Sequence, residues 1–183
     1  MGERRTGNGT HPLMLLIAFL LLAFAGTMRR AEAASEYEVK AAFLYNFAKF
    51  VDWPSDAFKS GSPFVIGVVG DDPFGSDLDT TVSGKTVDNR RIEVRRFRRV
   101  GDVQSCHILF VCRSEKSRVD KILERVSGSR TLTVGDMGQF LQRGGMINFI
   151  IEDQKVRFEI NSNSAERAGL KISSKLLQLA RRT

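Results

Sequence analysis

The chain has 183 residues, 42% of them hydrophobic and 27% charged, with only 4 Pro, a composition that suits one packed domain and excludes collagen-like, coiled-coil and disordered chains. Its 2 His and 2 Cys are too few for a His-rich metal centre, a four-thiolate zinc site or a disulfide-dense scaffold. The formal net charge of +7 permits an acidic partner or an anionic surface.

Residues 1–33 read as a secretory signal peptide. Arg4 and Arg5 make a positive start, and Leu13 to Ala25 is an unbroken apolar run of 13 residues. That is short of the roughly 20 needed to span a bilayer and suits the apolar region of a leader. Ala31-Glu32-Ala33 supplies the small-residue cleavage signal, with Ala23-Phe24-Ala25 as a second cut. The alternative is an uncleaved anchor, with Arg29 and Arg30 behind the run. Removing the leader, which carries 4 of the 28 Lys+Arg and 2 of the 21 acidic residues, leaves a domain over 34–183 with net charge +5. Export argues against a nucleic-acid target.

In the remaining chain, residues 36–51 predict a helix with Val39, Phe43, Phe47, Phe50 and Val51 inward, Leu44 and Ala48 widening the stripe, and Lys40, Asn46 and Lys49 wet. Trp53-Pro54 stops it. Phe64 to Val69 is a continuous apolar run, the mark of a strand covered on both faces. A short helix at Asp77–Val82, a charged strand at Arg91–Phe97 and an apolar strand at His107–Val111 follow. Residues 115–127 predict an amphipathic helix with Val119, Ile122, Leu123 and Val126 inward, ending at Gly128. Thr131–Val134 reads as a strand, Gln139–Arg143 as a brief helix, and Met146–Ile151 with Lys155–Ile160 as a hairpin. A final helix begins at Asn163, with Glu166 at capping-box spacing and a stripe of Ala165, Ala168, Ile172, Leu176 and Leu179. The alternation argues for an α/β fold: a single three-layer domain, with a mixed sheet flanked by helices.

Gly67 to Gly75 leaves a strand as a nucleotide-binding loop would, but its spacing matches no phosphate-binding motif, and Asp71 and Asp72 would repel phosphate. It reads as a tight turn. A receiver-type phosphoacceptor site fails too, because Cys112-Arg113-Ser114 stands where a third Asp is needed. Within a straight strand Cys106 and Cys112 lie about 20 Å apart on one face, beyond disulfide reach of about 7 Å, and read as buried small hydrophobes. Arg90 to Arg99 alternates like a half-exposed edge strand whose charges discourage aggregation, or an acidic-partner patch. No G-x-S-x-G, H-E-x-x-H or C-x-x-C occurs, and Cys106 and His107 point to opposite faces as strand neighbours. No catalytic residue, metal site or cofactor is expected.

Lys40-Ala-Ala-Phe43-Leu44-Tyr45-Asn46-Phe47-Ala48-Lys49-Phe50-Val51-Asp52-Trp53-Pro54 behind a leader resembles the YfiR-like family of periplasmic proteins. So do Gly70-Asp71-Asp72-Pro73-Phe74, Cys106-His107-Ile108-Leu109-Phe110, the Gly144–Phe149 and Arg157–Asn161 blocks, and Ala168 to Leu177. The resemblance implies a compact periplasmic α/β protein without catalysis. Its best-known members repress an inner-membrane diguanylate cyclase by binding its periplasmic region, which lowers cyclic-di-GMP and biofilm formation. Some relatives carry two disulfides; only Cys106 matches that pattern here.

The leading expectation is therefore a periplasmic regulator that binds an inner-membrane signalling enzyme. Tyr45 and Trp53, aromatics beyond those one core stripe uses, are its candidate partner contacts. The alternative is a small-molecule binding module feeding a histidine kinase or transport system. Its ligand loops would lie beyond the carboxyl ends of the strands: Gly70, Asp71, Asp72, Pro73 and Phe74, then Arg113 and Ser114, then Gly135 and Asp136 in the turn to Gly138. A monomer and a homodimer both fit the sequence.

Overall fold

The structure, a computed structural model, describes Gly2 and residues 35–181. The leader's three regions and its cleavage signals fall outside the described residues.

Helix α1 spans Glu36–Phe50 and opens on a capping box. The Ser35 hydroxyl accepts the Glu38 amide at 3.1 Å, and the Glu38 carboxylate accepts the Ser35 amide at 3.3 Å. Its buried residues are Lys40, Ala41, Leu44, Phe47 and Ala48, continued by Val51. Leu44, Phe47, Ala48 and Val51 are buried as predicted, but the stripe is centred on them rather than on Val39, Phe43 and Phe50, which are only partly covered, and Lys40, predicted wet, is 1% exposed. An ion pair described below makes that burial tolerable.

The chain continues through β1 (Val51–Asp52), β2 (Phe64–Val69), α2 (Asp77–Val82), β3 (Thr86–Val87), β4 (Arg90–Phe97) and β5 (Ile108–Val111). Then come α3 (Val119–Arg125), β6 (Leu132–Gly135), β7 (Ile147–Glu152), β8 (Lys155–Ile160), α4 (Ser162–Arg167), β9 (Lys171–Ile172) and α5 (Ser174–Leu179). Seven strands form one mixed sheet in the order β3-β4-β2-β5-β6-β7-β8, parallel from β4 to β7 with antiparallel strands at both edges. β1 and β9 pair separately, Val51 with Ile172 and Asp52 with Lys171.

Alternation of side chains along the central strands divides the core in two. Ile66, Val68, Ile108 and Phe110 pack beneath α1, α2, α4 and α5. Val65, Val69, Leu109 and Val111 pack against Val119 and Ile122 of α3 and against Phe140. This is the three-layer α/β domain expected.

Several elements depart from expectation for local reasons. Residues 113–118 are a 3₁₀ helix, and only Val119–Arg125 is α-helical. Glu115 is buried there and gripped by both arms of Arg118 at 2.7 Å, a spacing of three that the tighter helix eclipses. Gln139–Arg143 is a turn rather than a helix. Its Phe140 ring is fully buried across Gly135, where a Cβ would lie 2.8 Å from it, and across Gly145, where one would collide with it.

The final helix is two helices. Asn161, not Asn163, is the cap, accepting the Ser164 amide at 3.1 Å. Gly169 then turns left-handed at φ 74°, with its own amide on the Glu166 carbonyl and that of Leu170 on the Ala165 carbonyl, so α4 stops and β9 begins. Leu179, predicted inward, is exposed.

Cys106 and Cys112 are both free and buried, but in opposite cores rather than on one face. The strand begins only at Ile108, and a bend at His107 breaks the alternation assumed between them.

Candidate functional site

Since β2, β5 and β6 run parallel, their carboxyl ends bring the predicted ligand loops together. The Asp71 amide donates to the Ser114 hydroxyl at 2.9 Å, and the Cys112 amide to the Val69 carbonyl at 3.0 Å. Gly70 has φ 101°, and a Cβ on it would lie 2.8 Å from Glu115, so only glycine lets these two loops touch.

Asp136 is the centre of this end. Its Oδ2 accepts from Lys40 Nζ at 2.7 Å and from the Tyr37 hydroxyl at 3.0 Å, with Arg113 Nε at 3.3 Å. Arg113 also donates to the Asp136 carbonyl at 2.9 Å, and Lys40 turns its other side to Glu36. The ammonium lies 4.3 Å over the Tyr37 ring. Asp136 Oδ1 is buried and finds no hydrogen-bond partner among the described residues. Burial, and then the Asp136 charge, push the Tyr37 hydroxyl up to about 12. Burial likewise raises the Cys112 thiol far above its ordinary value, with Asp72 and Asp136 adding to it. Neither group is set to lose a proton.

The remaining loop residues are tied inward. Asp72 accepts the Phe74 amide at 2.8 Å and the Arg96 guanidinium at 2.6 Å. The Phe74 ring is buried, edge-on to Tyr37 and Phe110 at 5.4 and 4.8 Å, with Pro73 beside it. Gly135 is the last residue of β6 and lies under Phe140. The strand-end loops are therefore a cross-braced cap. Among the described residues no cluster of three or more His, Cys, Asp or Glu could hold a metal ion.

The two candidate partner aromatics sit apart from this cap and in different settings. Tyr45 is half-buried on α1, with Lys85 at 4.6 Å and Lys49 at 5.5 Å from its ring. Trp53 is half-buried past the helix, donating its indole N–H to the Arg130 carbonyl at 3.0 Å and standing edge-on to Phe64 at 5.1 Å.

A groove of about 560 Å³ that the sequence did not point to opens at the opposite, amino end of the strands, between Lys59, Arg95, Cys106, His107 and Arg130. His107 is stacked between Phe58 and Phe64, 4.7 Å from each, and its Nδ1 accepts the Val65 amide at 2.9 Å. Burial lowers its proton affinity. The short, isolated motif at His107 held no signal for this concavity, because the wall residues come from four separate segments.

A sequence profile of the YfiR/HmsC-like family matches residues 37–181. In structure the chain is similar to a conserved domain protein from Vibrio cholerae O1 biovar El Tor, with a TM-score of 0.54 and 13% sequence identity. That likeness covers 80% of this chain and 59% of the Vibrio chain, and it concerns the fold alone. The ABC domain from Streptococcus pneumoniae, solved in complex with L-Trp, aligns at a TM-score of 0.48 and 11% identity over 63% of this chain and 53% of its own. No curated protein sequence matches the chain.

Proposed function

The chain belongs to the YfiR/HmsC-like family, and from that membership we propose that it is a periplasmic protein that binds and represses an inner-membrane diguanylate cyclase, lowering cyclic-di-GMP. The observation that carries the reading is the family match, which runs from the first turn of α1 to Arg181. Members of the family are regulatory rather than catalytic and work in the periplasm. Among the described residues no helix is long and apolar enough to cross a membrane.

Repression by contact needs a stiff body with a reactive surface rather than an open active site. The cross-braced cap around Asp136 supports the first requirement. Tyr45, with Lys49 and Lys85 against its ring, supports the second: a large amphipathic side chain beside two cations is a usual interface anchor. Trp53 is the other proposed contact, through the part of its ring that remains uncovered.

The direct test is affinity capture of the tagged chain from detergent-solubilised inner membranes of its own cells. A membrane protein with a cyclase domain should be retained, and lost with Tyr45→Ala. Retention of no signalling protein contradicts the reading. A second reading, a small-molecule module, is favoured by the groove beside His107, whose Lys59, Arg95 and Arg130 suit an anionic ligand. A thermal-shift screen of small carboxylates and phosphates tests it.

A further inference from the structure

The seven-stranded sheet is not closed at its β4 side. β3 pairs only with Arg90 and Arg91, so among the described residues Ile92–Phe97 has a strand neighbour on its β2 side alone. Every second backbone N–H and C=O along that stretch points away from β2, at an edge able to accept another strand. Beside this edge runs a groove of about 390 Å³, walled by Val82, Lys85, Arg91, Ile92 and Val94 and by Asp79, whose charge Arg96 engages. Ile92 and Val94 pack partly against the α1-side core, and Val82 is buried in it, so one side of the groove is apolar.

Charge around the groove is lopsided. Glu93 is engaged by Arg95, while Asp72 and Asp79 are both engaged by Arg96. Lys85, Arg91, Arg98 and Arg99 are exposed and form no salt bridge among the described residues. Two copies of this edge laid side by side would set arginines against arginines, which is destabilising. An incoming strand whose apolar residues meet Ile92 and Val94 and whose carboxylates meet Lys85 and Arg91, the cations of the groove wall, finds complementary chemistry.

We propose that the β4 edge is a docking site for an extended, acidic segment of a protein partner, which adds to the sheet as a further strand. This rests on the reading of the chain as a partner-binding regulator and places the contact: Lys85, on the groove wall, is the same residue that lies over Tyr45.

The test takes the protein as the expressing cell processes it and selects binders from displayed random 12-residue peptides. Recovered peptides should alternate acidic with apolar residues. Their binding should weaken about tenfold or more in Lys85→Glu/Arg91→Glu, as expected when charges flanking an interface are reversed. N-methylation of every second amide, which blocks pairing to an edge, should abolish binding. Recovery of no peptide, recovery without acidic bias, or equal binding of the N-methylated form overturns the proposal. So does equal, charge-dependent binding to phosphatidylglycerol vesicles, which would assign the cations to a membrane. A chain that captures acidic strands but whose deletion leaves cyclic-di-GMP unchanged keeps the docking edge and loses the cyclase as its target; the converse result removes the edge alone.

Discussion

Lys40 and Asp136 meet at 2.7 Å with almost no solvent contact, so removing one strands the other. Lys40→Met should cost about 3 kcal/mol, the low end for breaking a buried pair because Arg113 stays beside the carboxylate. Lys40→Met/Asp136→Leu should recover most of that loss, and urea denaturation that finds the double variant no better than the single one contradicts the assignment. His107 sets a second expectation. Burial depresses its folded pKa, so the unfolded chain takes up a proton first as pH falls. Stability should be full above the unfolded value of about 6.5 and decline as pH drops toward the folded one. His107→Asn keeps an acceptor for the Val65 amide and should remove this decline; an unchanged slope would refute the role. The carboxylates Asp79, Glu93 and Asp120, held down by hydrogen bonds from Arg96, Arg95 and Arg143, act at lower pH, from about 4 downward. Little of this was legible in the sequence. Ninety-six residues separate Lys40 from Asp136, and no local pattern records such a pairing. The available signal was Lys40 falling on the stripe of Leu44, Phe47 and Val51.

Helix α1 buries one face and offers another, and truncations along it should separate the two. Phe47→Ala removes a fully buried ring and should cost about 3–5 kcal/mol. Tyr45→Ala should cost only about 1 kcal/mol, as a partly exposed position does, while weakening partner capture. Trp53→Ala should fall between them in stability, since it also loses the bond to Arg130 and the edge contact with Phe64. Equal losses at Tyr45 and Phe47 in a melting series would mean that Tyr45 belongs to the core. At this scale the sequence was a good guide where burial alone decides. The Phe64–Val69 run and the Asp77–Val82 helix fall where the pattern put them, because a strand covered on both faces and a short amphipathic turn advertise themselves. It misled where competing signals overlap. Asn163 with Glu166 copies capping-box spacing inside a helix that Asn161 already caps, and Gly169 looks tolerable until its left-handed turn breaks the helix. The convergence of the strand-end loops followed from parallel topology; that they brace one another was invisible, since it depends on Arg96 reaching in from β4 and on Arg113 crossing from one loop to another.

The domain over the described residues 35–181 is a three-layer body whose polar strand ends are locked and whose groove cation Lys85 lies beside Tyr45. Cleavage after Ala33 keeps Ser35, the cap of α1, in the mature chain, and mass spectrometry of the periplasmic fraction should find an N-terminus at Ala34; a full-length, membrane-retained chain contradicts export. Fold class was legible because strands and helices alternate. The proposed partner rests on family likeness, since the proposed interface of Tyr45, Lys85 and the β4 edge draws on three separate segments that no local pattern joins. The central claim, repression of a membrane diguanylate cyclase, is tested most directly by measuring intracellular cyclic-di-GMP in cells lacking this gene and in cells that regain it. Loss of the gene should raise cyclic-di-GMP, and restoring the wild-type chain, but not Tyr45→Ala, should return it to its starting level; cyclic-di-GMP that stays constant across all three strains contradicts the account.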